Sequence, residues 1–122
     1  MIKKKANPFN LSCPSRDVLD VIGDKWAILL LCVLHEGKFR TGELRRAIDG
    51  ISQKMLIQSL RKLEENGIVK RTSHPEVPPR VEYELTKLGY SLCTIVLGLE
   101  NWVVSNYPEI VKARKEFSQH DH

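Results

Sequence analysis

No CxxC pair, no HExxH and no glycine-rich phosphate loop occurs anywhere in these 122 residues. The three cysteines, Cys13, Cys32 and Cys93, are odd in number and widely spaced. That excludes a zinc ribbon and speaks against a disulfide framework. No nucleophile–base pair stands out, so an enzyme is the weakest class, and a catalytic Cys13 would lack a partner. Neither a cofactor nor a metal site is expected. His120, Asp121 and His122 stand at a chain end, where an unordered segment is expected rather than a ligand set. Long apolar runs are missing too. The longest, WAILLLCVL from Trp26 to Leu34, falls well short of the roughly 20 residues that span a bilayer. The opening MIKKKANPFN is basic but lacks the apolar run and cleavage site of a secretory signal. A cytoplasmic protein without a membrane partner is the expectation.

What is present suits one compact domain, with a hydrophobic fraction of 42%. The net charge of +4 is unevenly spread: residues 1–10 carry +3 and residues 40–80 carry +4, while residues 81–106 carry −2. Positive charge gathered in one central segment suggests that one surface meets a polyanion.

Local signals predict a chain of helices followed by a small hairpin. A first helix starts near Pro14, bears Val18, Leu19 and Ile22 on one side, and ends at Gly23. Asp24 caps a second, with Trp26, Leu29, Leu30, Val33 and Leu34 at helical spacing and apolar residues between them. This helix should be buried nearly all round. Thr41 reads as the N-cap of a third, TGELRRAID, with Leu44, Ala47 and Ile48 inward. After Gly50, Ser52 caps a fourth helix that Gly67 closes. Two strands follow, IVKRTS and RVEYELT, joined by the stiff HPEVPP. Thr86 caps a last helix from about Lys87 to Ser105, apolar on two faces. One small domain cannot cover both faces, so a helix-mediated dimer is expected, with Leu92, Ile95, Val96, Leu99 and Trp102 at its contact.

The fourth helix carries the functional signal. Leu56, Leu60 and Leu63 form one stripe, with Met55 at its margin. Gln53, Lys54, Ile57, Gln58 and Arg61 share another face at 100° per residue. Glutamine pairs bidentately with adenine, and arginine or lysine with guanine, in the major groove. The alternative for this face is plain solvation. A short capped helix, a brief turn and a longer capped helix make a helix-turn-helix, and the hairpin supplies a wing with Arg80 at its end. Arg80 there suits phosphate or the narrow minor groove. Arg40 and Thr41, opening the third helix, suit phosphates, or act as surface charge and structural cap. A winged-helix protein-interaction module is the rival; it should offer aromatic or aliphatic anchors on the same helix.

Several ordered blocks, CPSRDVLDVIGDKWAILLL, RTGELRRAIDGISQKMLIQSLRKLEENGIVKR and HPEVPPRVEYELTKLGYSL, resemble the HxlR-type winged-helix transcription regulators, a branch close to the MarR group. The resemblance runs from about Cys13 to Trp102. It implies a mainly α fold with a small β-hairpin wing, a winged helix-turn-helix dimeric through its terminal helices. Residues 1–12 would form a flexible basic arm, 13–106 the winged domain with its dimerisation helices, and 107–122 a C-terminal tail. It implies a homodimer on a palindromic operator in double-stranded DNA, touched by Arg40, Thr41, Ser52, Gln53, Lys54, Gln58, Arg61 and Arg80. Ile57 departs from the pattern, being bulky where many relatives carry a small or hydroxyl residue; it either meets a thymine methyl or packs at the helix margin. Some members sense oxidants or electrophiles through a cysteine in the Cys-Pro position that Cys13 holds. A helix start with Arg16 nearby would favour its thiolate, while a partly buried structural cysteine is the other reading. Cys32 and Cys93 read as inert core residues. The sequence names no small-molecule effector.

Overall fold

The computed structural model describes residues 15–120. Its elements run α1 (Ser15–Ile22), α2 (Lys25–Leu34), β1 (Phe39–Arg40), α3 (Thr41–Ala47), α4 (Gln53–Glu65), β2 (Val69–His74), β3 (Arg80–Leu85) and α5 (Lys87–His120). Cys13 and the 1–12 arm lie outside the described residues. The Asp24 carboxylate accepts the Trp26 and Ala27 N–H groups at 3.2 Å each, which satisfies two free donors at the start of α2. The buried residues of α2 are Ala27, Leu30, Leu31 and Leu34. This is one stripe rather than the all-round burial expected. Trp26 and Val33 are half-buried and Leu29 is exposed, because the neighbours of α2, chiefly α4 and α5, leave part of its circumference uncovered.

Thr41 opens α3 but does not cap it. Arg40 holds the cap position, and its N–H donates to the Glu43 carboxylate at 2.7 Å. The guanidinium has no acceptor to return the bond, so the capping box is half closed. Leu44 and Ile48 are buried as expected, whereas Ala47 is exposed. Gly50 takes a φ of +86° in the turn between α3 and α4, a conformation that other residues adopt only with strain.

The sheet has the order β1-β3-β2, all antiparallel. Phe39 pairs with Tyr83 and Arg40 with Glu82, so the short piece before α3 becomes a third strand beside the hairpin. Val81, Tyr83 and Leu85 point to the core side, and Arg80, Glu82 and Glu84 alternate with them. Lys38 pairs with Glu84 at 3.7 Å and the His74 ring hydrogen-bonds Glu82 at 2.7 Å, so side chains from both flanks clasp the acids of the middle strand.

Thr86 ties α5 to the end of α4. Its N–H donates to the Ile68 carbonyl at 3.0 Å, its hydroxyl donates to the Gly67 carbonyl at 2.6 Å, and that same oxygen accepts the Gly89 N–H at 3.1 Å. Gly89 makes this approach feasible, since a Cβ there would overlap the Ile68 carbonyl oxygen. From this anchor α5 runs 34 residues, through Pro108 to His120, rather than stopping near Ser105. The segment read as a tail is therefore helical up to His120.

Within α5 only Gly89, Cys93 and Val96 are buried. Val96, at 5% exposure, serves its own protomer's core and is no surface contact, a correction to the expected dimer set. Ile95, at 71%, together with Leu99 and Trp102, is exposed, and Leu92 is half-buried. By length and composition α5 could cross a membrane, although no uninterrupted apolar run in the sequence is that long. One such helix is weak ground for a span.

Candidate nucleic-acid interface

The exposed face of α4 follows from what the helix buries. Leu56, Ser59, Leu60 and Leu63 sink into the core at i, i+3, i+4 and i+7. Burying each leucine contributes about 1.5–3 kcal/mol. That stripe fixes the rotation of the helix about its axis and leaves Gln53, Lys54, Ile57, Gln58 and Arg61 exposed on the far side. Ile57 stands in the open on this face. Among the described residues, the side chains of Gln53, Lys54 and Gln58 make no hydrogen bond or ion pair to the protein. Gln58 leans towards a crevice shared with Asp20, Asp24 and Lys62. Arg61 touches Glu65 at 3.6 Å, both well exposed, an i,i+4 pair that solvent screens heavily. Ser52 is committed first to structure, for its hydroxyl oxygen accepts the Met55 N–H at 3.1 Å. Its own proton remains available to an outside acceptor.

The wing differs from expectation at Arg80. Its Nη2 donates to the Glu76 carboxylate at 3.1 Å, and its Nε is buried without a hydrogen-bond partner. Arg80, expected at phosphate or the narrow minor groove, thus already has a partner in the acid four residues earlier in the same loop. The exposed cations Lys70 and Arg71 on the edge strand β2 were also passed over, though the alternating VKRTSH pattern carried the signal. Arg40 is exposed and Thr41 half-buried, across a crevice from the wing loop. The site thus brings together an amide-and-cation helix face, two arginines and a hairpin.

Three titratable groups are shifted. The hydrogen bond from His74 holds the Glu82 carboxyl below its usual value, helped by the charges of Arg80, His74 and Lys38, against a smaller opposing effect of burial. Burial raises the Cys32 thiol, with Glu100 adding to it, and burial raises Cys93, with Cys32 adding. The Cys93 thiol donates to the Leu31 carbonyl at 3.5 Å. Both thiols are poor nucleophiles as a result. Among the described residues no group of three or more His, Cys, Asp or Glu is placed to hold a metal ion.

The family model of HxlR-like helix-turn-helix proteins matches residues 21–111. The HTH-type transcriptional regulator YtfH of Escherichia coli (strain K12) is 45% identical over 113 residues, 93% of this chain and 90% of that protein. The ytfH regulator of Salmonella typhimurium superposes with a TM-score of 0.87 at 42% identity, over 91% of this chain and 99% of that one. The redox regulator HypR in its oxidized form gives a TM-score of 0.71 at 47% identity, over 77% and 97% of the two chains. The mostly helical body with its small three-stranded antiparallel sheet matches the winged helix-turn-helix fold of these regulators. The chain belongs to the HxlR-like helix-turn-helix family of DNA-binding transcription regulators.

Proposed function

We propose that this regulator works as a homodimer in the cytoplasm, setting α4 of each protomer into successive major grooves of a palindromic operator. The observation that carries the reading is the face of α4, where Gln53, Lys54, Ile57, Gln58 and Arg61 all stand exposed opposite a fully buried leucine stripe. Gln53, Lys54, Gln58 and Arg61 read base edges. Arg40, Thr41, Ser52 and Arg80 engage phosphates, and the wing lies along the adjacent backbone. The second copy packs on the exposed apolar residues of α1 and α5, Val18, Leu19, Ile95, Leu99 and Trp102, with Leu92 beside them. A two-fold axis through that contact puts the half-sites about 34–36 Å apart.

Cys13 is the candidate switch. HypR, named as a redox regulator, supports this by similarity. Two Cys13 thiols across the dimer would be oxidised to a disulfide, passing two electrons and two protons to an oxidant such as diamide, and so re-space the α4 pair.

Selection of bound duplexes from a random pool, with and without diamide, tests the whole reading. The expected product is an inverted repeat whose recovery falls on oxidation, with a response that Cys13→Ser abolishes. Gln58→Ala or Arg61→Ala should cost ~1–3 kcal/mol of operator affinity and relax selection at one base position. Recovery of no preferred duplex, or affinity indifferent to salt between about 50 and 200 mM, would contradict the reading.

A further inference from the structure

Between the wing loop and the start of α3 lies a crevice of about 360 Å³, walled by Arg40 and Thr41 on one side and by the loop from Glu76 to Arg80 on the other. It holds two arginines against one carboxylate. Arg80 Nη2 donates to Glu76 Oε1 at 3.1 Å, with the arginine side chain 28% exposed and the glutamate 52%. Glu76 is held in place for this. Its N–H donates to the His74 carbonyl at 2.8 Å, and Pro75, Pro78 and Pro79 flank it. Fixed proline torsions reduce the ordering entropy that ordinarily cancels a surface ion pair. The other acid near Arg80, Glu82, is already engaged by His74 at 2.7 Å and shares the fields of Arg80 and Lys38. Arg80 Nη2 therefore pairs with Glu76.

A carboxylate and a phosphate present the same kind of acceptor to a guanidinium. We propose that Glu76 limits the affinity of the DNA interface, standing in for a backbone phosphate on Arg80 until α4 has docked on its cognate sequence. This rests on the DNA-binding reading above. A phosphate pressed close by a fully docked α4 displaces the glutamate. On a random duplex, where α4 rides loosely, the phosphate stays farther away and Glu76 keeps the arginine. Operator binding then bears the cost of breaking the Arg80–Glu76 pair, while non-specific binding forgoes only a contact weaker than that pair.

The experiment measures affinity and salt dependence for the selected operator and for poly(dI-dC), using the full chain, Glu76→Gln, Arg80→Gln and the double variant. Glu76→Gln should tighten operator binding by about 5–10-fold, and poly(dI-dC) binding by less, with the poly(dI-dC) salt slope steeper by up to about one unit. In the Arg80→Gln background the same change should give under about twofold on either duplex, since only general charge repulsion is left to relieve. Equal gains with and without Arg80, or a gain on poly(dI-dC) that matches or exceeds the gain on the operator, overturn the assignment of Glu76 and leave the DNA reading standing. A parent chain that shows no salt-dependent binding to either duplex overturns that reading and this inference with it.

Discussion

Glu82 sits at the centre of the wing's outer face, opposite Arg40 on one flank and bonded to His74 on the other. Its carboxyl is held below the ordinary 4.5, first by the His74 hydrogen bond. A depressed carboxyl contributes stability that is present above the unfolded value and is lost as pH falls through the folded one. Urea midpoints taken from pH 7 downward should therefore fall more steeply for the parent chain than for Glu82→Gln once the pH drops below that ordinary value. Parallel curves would show that the cluster does not couple folding to acid. Arg80 teaches a related lesson at the same scale. Its position on the wing is legible in the sequence, whereas its pairing with Glu76 is not, because an ion pair across a loop depends on how that loop folds back.

Among the elements, α5 is held most tightly where it begins. Gly89→Ala would press a methyl group into the Ile68 carbonyl and bring it to 3.1 Å from the Leu85 side chain. Neither backbone can give way cheaply, so the variant should lose ~1–3 kcal/mol of unfolding free energy, read as a lower urea midpoint with an unchanged slope. The bounds of α4 were readable because Ser52 and Gly67 are local punctuation, and its leucine spacing told inside from outside. For α5, spacing revealed two apolar faces but not which one turns inward. That was decided by a distant partner, α2, whose Leu31 carbonyl meets Cys93. Hence Val96 was placed on the wrong side. The helix end was also missed, since Pro108 breaks only one backbone bond, short of enough to stop a helix already running from Lys87.

In the whole molecule, apolar residues of α1 and α5 meet around one groove lined by Val18, Ile22, Leu88, Leu92 and Ile95. Ile95→Glu would bury an unpaired carboxylate in the proposed contact between copies. Self-association should weaken by about 100-fold or more, seen as a shift to monomer in sedimentation velocity, while the circular dichroism of the protomer holds. A sedimentation profile identical to the parent would move the contact elsewhere. The Thr86 staple has a mechanical consequence. At 34 residues, α5 is about 51 Å long, and it is pinned at one end to the turn that closes α4. A swing of about 5° at that pivot carries the far tip roughly 4 Å. The arrangement is a lever with a short arm and a long one: in the proposed dimer, a nudge on α5 arrives at the foot of α4 geared down into a fine adjustment of pitch.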